Sequence, residues 1–223
     1  MPLSSSSRPI PRGLYAILDP AQCGGREPVA YAKALLDAGV RLLQLRDKDY
    51  RAGRTLALAR GIGALCQQRG ALFVVNDRLD VALLSGAPAL HLGPDDLPVA
   101  VARREYSGIL GRSTNSVNEA KEAVREGADY VAFGPLFETS SKTGSALREK
   151  RTLEDLSRLC REVSVPVFGI GGITLERAAG IAAAGAWGAA VIGALVRADD
   201  LATVCRAFSA PFSACSPGGD GQK

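Results

Sequence analysis

The segment LFVVNDRLDVALLSGAPALHLGPDDLPVAVARREYSGILGRS, residues 72–113, decides the fold class. Its three short apolar runs, 72–76, 89–92 and 109–113, have the composition of buried strands. The two segments between them, 80–85 and 99–105, have the pattern of short amphipathic helices. Near-continuous apolar strands are typical of a parallel sheet that is covered on both faces. The segment therefore predicts β-strands that alternate with α-helices along the chain.

The same alternation extends in both directions and gives eight strand–helix units. We predict strands at Leu14–Leu18, Arg41–Arg46, Leu72–Asn76, Ala89–Leu92, Ile109–Ser113, Tyr130–Phe133, Val167–Ile170 and Ala189–Ile192. We predict helices near Pro28–Ala38, Tyr50–Gln68, Asp80–Ser85, Val99–Glu105, Asn118–Glu126, Thr152–Glu162, Thr174–Ala184 and Asp199–Ala207, with Asn118 and Thr174 as N-caps. Eight units without a spare element favour a single (β/α)₈ TIM barrel, and an open doubly wound sheet is the alternative.

Composition and length indicate one domain. We assign residues 13–210 to a catalytic barrel, between a flexible N-terminal segment, 1–12, and a flexible C-terminal tail, 211–223. The five cysteines are far apart in the sequence and predict a reduced, cytoplasmic protein. The net charge of +4 is scattered, which favours anionic small-molecule substrates over nucleic acid. We find no signal peptide or membrane-spanning run, and a homo-oligomer is possible.

The second predicted strand carries polar residues where a barrel holds its active site, at the carboxyl end. Gln44, Arg46 and Lys48 are spaced by two, so an extended chain places them on one face, opposite Leu43 and Leu45. An amide, a guanidinium and an ammonium that point into the barrel are costly unless an anion pairs with them. The spacing therefore predicts an anion site, although Lys48 alone would also suit a solvated strand end.

Carboxylates follow the third and fourth predicted strands. Asp77 follows Asn76 at the end of one strand, and Asp96 lies in the loop after the next. Two carboxylates from neighbouring strand ends can share Mg²⁺, which completes its shell with water and phosphate oxygens. We therefore predict a magnesium site at Asp77 and Asp96. The alternative for an Asp after a turn is a helix cap, which also applies to Asp80 and Asp95.

The later loops offer further phosphate contacts. Ser113 ends the fifth predicted strand and has a hydroxyl that can donate to a phosphate oxygen. The long segment 134–151 places hydroxyls around one lysine, which suits a lid that closes over a phosphate, with a flexible polar loop as the alternative. The residues concerned there are Thr139, Ser141 and Lys142.

Loops in which glycine leaves the backbone exposed follow the last two predicted strands. Gly171 lies just before a predicted helix start, Ile192 is the last residue of the eighth predicted strand, and Gly193 follows it. Backbone N–H groups in such loops bind phosphate well, and barrels commonly hold phosphate after strands seven and eight. With the side-chain site above, this predicts two anion sites, for two phosphorylated ligands or for one ligand phosphorylated at both ends.

Six motifs in these regions, in this order along the chain, resemble those of the thiamine phosphate synthase family. They are QLRDK (44–48), VVNDRLDVAL (74–83), LHLGPDDLP (90–98), ILGRSTNS (109–116), DYVAFGPLFETSSK (129–142) and VFGIGGIT (167–174). The resemblance implies a transferase that condenses 4-amino-2-methyl-5-hydroxymethylpyrimidine diphosphate with 4-methyl-5-(2-phosphoethyl)thiazole. The products would be thiamine phosphate and pyrophosphate, formed by a Mg²⁺-assisted dissociative substitution.

The resemblance also implies a role for each candidate residue. The pyrimidine diphosphate would be held by Gln44, Arg46, Lys48 and Asn76, and Mg²⁺ by Asp77 and Asp96. The departing pyrophosphate would meet Ser113 and Lys142, so that the catalytic residues would be Arg46, Lys48, Ser113 and Lys142. The thiazole phosphate would be held by Thr139 and Ser141 and by the backbone of Gly171, Ile192 and Gly193.

The sequence departs from the family pattern at Asp47, Pro94, Asn115 and Gly193, where the family often has Glu, Gln, His and Ser. The related thiazole tautomerase is one alternative, but it relies on a His where Asn115 stands. A non-catalytic barrel that binds a phosphorylated metabolite and a sugar-phosphate epimerase are others. His91 lies on an apolar strand, and we interpret it as a packing residue.

Overall fold

The computed structural model describes residues 9–138 and 151–213, in which eight parallel strands form a closed barrel. The strands are β1 (Gly13–Leu18), β2 (Leu42–Leu45), β3 (Leu72–Asn76), β4 (Ala89–Leu92), β5 (Ile109–Thr114), β6 (Tyr130–Phe133), β7 (Val167–Ile170) and β8 (Gly188–Val191). The helices are α1 (Pro28–Asp37), α2 (Ala52–Gln68), α3 (Leu79–Ser85), α4 (Val99–Glu105), α5 (Val117–Arg125), α6 (Leu153–Glu162), α7 (Leu175–Ala183), α8 (Gly193–Val196) and α9 (Leu201–Ser213).

Each strand pairs with its sequence neighbours, and β1 also pairs with β8. This closing pair places Gly13 opposite Gly188 and Tyr15 opposite Ala190. The topology confirms the predicted (β/α)₈ TIM barrel and excludes the open doubly wound sheet. Within the described residues, no helix is both long and apolar enough to cross a membrane.

Alternate residues of each strand pack into two separate apolar layers. Leu43 and Leu45 of β2 belong to the larger layer, between the sheet and the helices. Leu42 belongs to the smaller layer inside the barrel, with aromatic residues such as Tyr15 and Phe168. Gln44 is buried on this inner side, where its side chain reaches the Tyr15 hydroxyl. The predicted division of β2 into an inner and an outer face is therefore confirmed.

Two helix starts depart from the sequence prediction in different ways. Ser116 caps α5, because its hydroxyl accepts a hydrogen bond from the Glu119 backbone at 3.1 Å. The prediction of Asn118 as this cap is wrong, since Asn118 lies within the first turn. Thr174 occupies the N-cap position of α7 as predicted, but its side chain makes no capping hydrogen bond.

The end of the barrel differs from the prediction in extent. The last helix, α9, runs to Ser213 and so continues three residues past the boundary that we placed at residue 210. Its buried Phe208 and Phe212 pack in the outer apolar layer, which explains why the helix continues. The short helix α8 was not predicted, because four residues are too few to show a helical period.

Closure of the barrel sets a testable requirement at Gly188. A Cβ atom on Gly188 would lie 2.1 Å from the Gly13 carbonyl oxygen, so Gly188→Ala must push β8 away from β1. We expect the free energy of unfolding in urea to fall by about 3 kcal/mol, as for an overpacked core. In α2, an added Cβ on Gly61 would meet Val29 at an ordinary 3.7 Å. Gly61→Ala should therefore raise stability by about 0.5–1 kcal/mol. Equal stability of the two variants would contradict the close approach of β1 and β8.

Candidate functional site

Two carboxylates meet at the rim of the barrel around the backbone of Gly93. The Gly93 amide donates a hydrogen bond to Asp96 Oδ2 at 2.7 Å. A Cβ atom on Gly93 would lie 2.8 Å from Asp96 Oδ2 and 3.6 Å from Asp77 Oδ1, so both carboxylates face this residue. Asp77 reaches this position with a left-handed φ of 63° and an amide that donates to the His91 carbonyl at 2.8 Å. The structure thus brings the two predicted metal ligands together.

The electrostatics of this pair suit a divalent cation. The pKa of Asp96 is raised to about 6, first by burial and then by the hydrogen bond to Asp77 and the negative charge of Asp77, against a lowering by the Gly93 amide and the Lys48 charge. A cation between two carboxylates would relieve this repulsion, and Mg²⁺ prefers such oxygen ligands. Among the described residues, no three His, Cys, Asp or Glu side chains form a metal-binding cluster. The two carboxylates therefore suit Mg²⁺ that takes its other ligands from water and substrate.

Lys48, which follows β2 in the sequence as Arg46 does, contacts the carboxylate pair. Its ammonium forms an ion pair with Asp77, while about half of its side chain, 54%, remains exposed. An exposed lysine on a flexible stem can exchange one anionic partner for another at small cost. Lys48 is therefore able to contact both the metal site and an incoming anion.

Arg46 is held by an aspartate that the sequence analysis did not select. Its Nη1 atom lies 2.6 Å from Asp19 Oδ2, and Asp19 is only 4% exposed. The same carboxylate accepts hydrogen bonds from the Ala21 amide at 3.0 Å and from the Gln22 side chain at 3.1 Å. Asp19 thus fixes the guanidinium at the rim. The only sequence signal for it is its position directly after the first strand.

Polar side chains also cross the inside of the barrel. Gln44 Nε2 donates to the Tyr15 hydroxyl at 2.5 Å, which lies 2.8 Å from the Tyr130 hydroxyl. The Tyr130 hydroxyl is 3.1 Å from His91 Nδ1, and His91 Nε2 is 2.9 Å from Ser113 Oγ. His91 is buried and stacks on the Tyr130 ring, as expected of a packing residue, and both of its ring nitrogens also hydrogen-bond to side chains. This chain, from Gln44 through Tyr15, Tyr130 and His91 to Ser113, is called the inner chain below.

The other predicted contact on β3, Asn76, lies at the rim. It is the last residue of β3, half-buried, and pairs in register with His91 of β4. The amide of Arg78 donates to its carbonyl at 2.7 Å, which turns the chain sharply just after the strand. Asn76 and Asp77 are therefore neighbours at the same edge as the carboxylate pair.

The loop after β7 passes close to the segment after β6. The Leu136 amide donates to the Ile170 carbonyl at 3.0 Å, and the Phe137 amide donates to the Gly171 carbonyl at 3.2 Å. Gly171 has a φ of 97°, and a Cβ atom there would lie 2.5 Å from Pro135 Cβ. Only glycine fits this position, because a side chain there would overlap Pro135.

The loop after β8 is shorter than predicted. The strand ends at Val191, and Ile192 is the N-cap of α8 rather than a strand residue. A Cβ atom on Gly193 would lie 2.8 Å from Arg197 Nη1, so a larger residue would displace the guanidinium. The glycine that departs from the family pattern thus makes room for an arginine that sequence analysis missed. Arg197 adds positive charge beside the backbone of this loop.

Three predicted contacts, Thr139, Ser141 and Lys142, lie outside the described residues. Their assignment to the thiazole phosphate and to the departing pyrophosphate stays a prediction. The described part of the site contains the other candidates, at the carboxyl ends of β2, β3, β5, β7 and β8 or in the loops that follow β4, β7 and β8.

Charged side chains and exposed backbone at this rim are typical of barrel enzymes that bind phosphorylated ligands. The chain belongs to the family described as thiamine monophosphate synthase, whose profile it matches over residues 14–195. It is 43% identical over 221 residues to the thiamine-phosphate synthase of Anaeromyxobacter dehalogenans, covering 96% of each chain. It is 40% identical over 200 residues to that of Caldivirga maquilingensis, covering 89% of this chain and 96% of the relative.

A solved structure gives the same likeness. The thiamine phosphate pyrophosphorylase of Pyrococcus furiosus superposes with a TM-score of 0.81 at 31% identity. The superposition covers 90% of this chain and 95% of the other. The predicted resemblance to this family is thereby confirmed.

The raised pKa of Asp96 predicts how stability depends on pH without metal. The folded value of about 6 lies above the unfolded value of about 3.9, so the folded state binds more protons between these values. The stabilisation is complete below about pH 4 and is lost as the pH rises through about 6. In EDTA, the stability of the wild type relative to Asp96→Asn should therefore be greater at about pH 5 than at about pH 7.

Urea unfolding of both proteins at the two pH values measures this difference. Mg²⁺ at the higher pH should stabilise the wild type more than Asp96→Asn, because a ligand of the folded state adds stability. A wild type and a variant that respond identically to pH and to Mg²⁺ would contradict the assignment of Asp96.

Proposed function

We propose that the chain is a thiamine-phosphate synthase that joins a pyrimidine diphosphate to a thiazole phosphate and releases pyrophosphate. The pyrimidine is 4-amino-2-methyl-5-hydroxymethylpyrimidine, and the thiazole is 4-methyl-5-(2-phosphoethyl)thiazole. The observation that carries this proposal is the carboxylate pair of Asp77 and Asp96 beside Lys48 and the fixed guanidinium of Arg46. Together with membership of the family, this arrangement of charge favours a diphosphate leaving group, whose negative charge Mg²⁺ held by the two carboxylates would stabilise.

The proposed chemistry is a dissociative substitution. The bond between the pyrimidine methylene carbon and the diphosphate oxygen breaks, and its electron pair leaves with pyrophosphate. The ring nitrogen of the thiazole then gives its lone pair to the methylene carbon and forms the new C–N bond. No proton has to be removed in these two steps. The protein's main task is therefore to stabilise negative charge on the leaving group.

The rim residues provide this stabilisation. Arg46, held by Asp19, and the exposed Lys48 would contact the leaving diphosphate together with Ser113 and Lys142. Mg²⁺, held by Asp77 and Asp96, would supply Lewis-acid stabilisation of the same charge. Gln44 and Asn76 would hold the pyrimidine end of the substrate. Fixed cations and hydroxyl donors at the place where charge develops need no rearrangement during the reaction.

The second phosphate would lie on the opposite side of the rim. We assign the thiazole phosphate to the backbone of Gly171, Ile192 and Gly193, with Thr139 and Ser141 as side-chain donors. Bare backbone in the loops after the seventh and eighth strands is the common phosphate site of this fold. The thiazole ring would then extend towards the centre of the barrel, where the methylene carbon is exposed by loss of pyrophosphate.

The first test is turnover with both substrates. Purified protein, Mg²⁺ and the two substrates should yield thiamine phosphate and pyrophosphate in equal amounts, and EDTA should abolish both. Asp77→Asn removes one charge and keeps a residue type that accepts the left-handed backbone. We expect kcat to fall at least about 100-fold and the response to Mg²⁺ to weaken.

Asp80→Asn is the matched control. Asp80 is three residues away on α3 and pairs with Arg78 at the surface, so the substitution removes an equal charge outside the proposed site. Its kcat should stay within about twofold of the wild type, as for most surface changes. If wild-type protein binds the thiazole phosphate but forms no product, a tautomerase or a phosphometabolite-binding barrel would replace the proposed function.

A further inference from the structure

The inner chain connects two ends of the proposed active site through the middle of the barrel. Gln44 at one end and Ser113 at the other are both proposed substrate contacts. Between them, Tyr15, Tyr130 and His91 are at most 4% exposed and lie in a continuous series of hydrogen bonds of 2.5 to 3.1 Å. None of these three middle residues has a role in the function proposed above.

The donors and acceptors of this chain form a consistent series in one direction. Gln44 Nε2 donates to Tyr15, so the Tyr15 oxygen accepts and its one hydrogen is directed to Tyr130. The Tyr130 hydrogen is then directed to His91 Nδ1, which accepts it. A neutral imidazole that accepts at Nδ1 carries its proton on Nε2, and this N–H donates to Ser113 Oγ. Burial raises the pKa of both tyrosines, which keeps each one a donor.

We propose that His91 is a positioning residue, held as the Nε2–H tautomer by Tyr130, which leaves the Ser113 hydroxyl hydrogen for an anionic ligand. The identity of this ligand as the departing pyrophosphate rests on the proposed function, whereas the tautomer rests on the inner chain. A phosphate oxygen only accepts hydrogen bonds, so Ser113 is useful to it only as a donor. Because His91 Nε2–H already donates to the Ser113 oxygen, the Ser113 hydroxyl does not donate to His91, and its hydrogen can be donated to the ligand.

If the hydrogen bonds of the inner chain ran in the opposite direction, Ser113 would present an acceptor to the ligand in place of a donor. If Gln44 presented its amide oxygen to Tyr15, each hydrogen would reverse, and His91 would carry its proton on Nδ1. Ser113 would then donate to His91 Nε2 and turn lone pairs towards the anion. The direction that we infer also leaves Gln44 Oε1 as an acceptor, which suits a ring that carries an amino group. A single direction of the hydrogen bonds in the inner chain therefore suits both ends of the proposed substrate.

The tautomer can be measured directly, because His91 is the only histidine of the chain. Protein labelled with ¹⁵N-histidine, with any purification tag removed, gives one pair of ring nitrogen signals. In long-range ¹H–¹⁵N spectra, we expect the pattern of a neutral Nε2–H imidazole, both alone and with Mg²⁺ and inorganic pyrophosphate. A Nδ1–H pattern, or an imidazolium with both nitrogens protonated, would overturn the proposal.

Tyr130→Phe tests whether the chain sets the tautomer. It removes the donor to Nδ1, so the ¹⁵N signals should move towards a mixture of both tautomers. We expect kcat to fall about tenfold, the effect of one weakened hydrogen bond to a charged group, with KM for the thiazole phosphate within about twofold. Unchanged signals and an unchanged kcat would show that Tyr130 does not direct His91.

Tyr106→Phe is the control for the loss of a buried hydroxyl. Tyr106 is 5% exposed and donates to the Ala87 carbonyl at 2.5 Å, away from the inner chain. It should leave the His91 signals and kcat unchanged, even if stability falls. A fall in kcat equal to that of Tyr130→Phe would reduce the effect to general packing and overturn the role in positioning.

The two proposals fail in different ways. A wild type with the Nε2–H tautomer but without formation of thiamine phosphate would leave the inner chain intact and contradict the proposed function. Formation of thiamine phosphate by a protein with the Nδ1–H tautomer would support the proposed function and contradict the role of the inner chain. If Tyr130→Phe does not fold, the spectrum of the wild type still decides the tautomer.

Discussion

Closure of the barrel between β1 and β8 is the constraint on which the rest of the structure depends. The strands meet where Gly13 lies opposite Gly188, and no side chain fits between the Gly188 Cα and the Gly13 carbonyl. Because all eight strands are parallel, closure brings their carboxyl ends to one rim. Residues that are far apart in the sequence thereby become neighbours. The carboxylates, the basic residues and the glycine loops have their relation to one another only through this closure.

Polar groups in the site are arranged in two layers with different physics. At the rim, the Lys48–Asp77 ion pair is partly solvated and can respond to a charged ligand, whereas the buried Asp19 holds Arg46 in place. Below the rim, the inner chain is buried from Gln44 to His91, and each polar group there needs a hydrogen-bond partner because burial removes it from bulk solvent. The rim therefore provides charged side chains, and the inner chain orients hydrogen-bond donors. Both could stabilise negative charge on a ligand without a change in the fold.

The fold and much of the rim were predictable because they follow from periodicity and position. The period of two in β2 placed Gln44 opposite Leu43 and Leu45, and the positions of Asp77 and Asp96 after neighbouring strands predicted that they would meet. Strand bounds were right within about one residue, since apolar runs end sharply where a barrel strand ends.

The inner chain and Asp19 could not be predicted in the same way. Tyr15 and Tyr130 have rings that pack like any core aromatic, and only the position of their hydroxyls in space distinguishes them. We interpreted His91 as a packing residue because its neighbours in the sequence are apolar, whereas its hydrogen-bond partners come from β5 and β6. The cap of α5 was misplaced by two residues because Ser116 and Asn118 are both good capping residues. For the inner chain and Asp19, the missing information was a contact between residues that are distant in the sequence.

The dependence of pyrophosphate binding on Mg²⁺ is the sharpest test of the proposed metal site. In the proposed function, Asp77 and Asp96 would hold Mg²⁺, and Arg46 and Lys48 would contact the diphosphate. Isothermal titration calorimetry with inorganic pyrophosphate, with Mg²⁺ or with EDTA, measures this coupling in the wild type and in Asp96→Asn. We predict tight binding to the wild type only with Mg²⁺, and a loss of most of this dependence in Asp96→Asn. Equal affinity with Mg²⁺ and with EDTA, or a variant with the full response to Mg²⁺, would contradict the account.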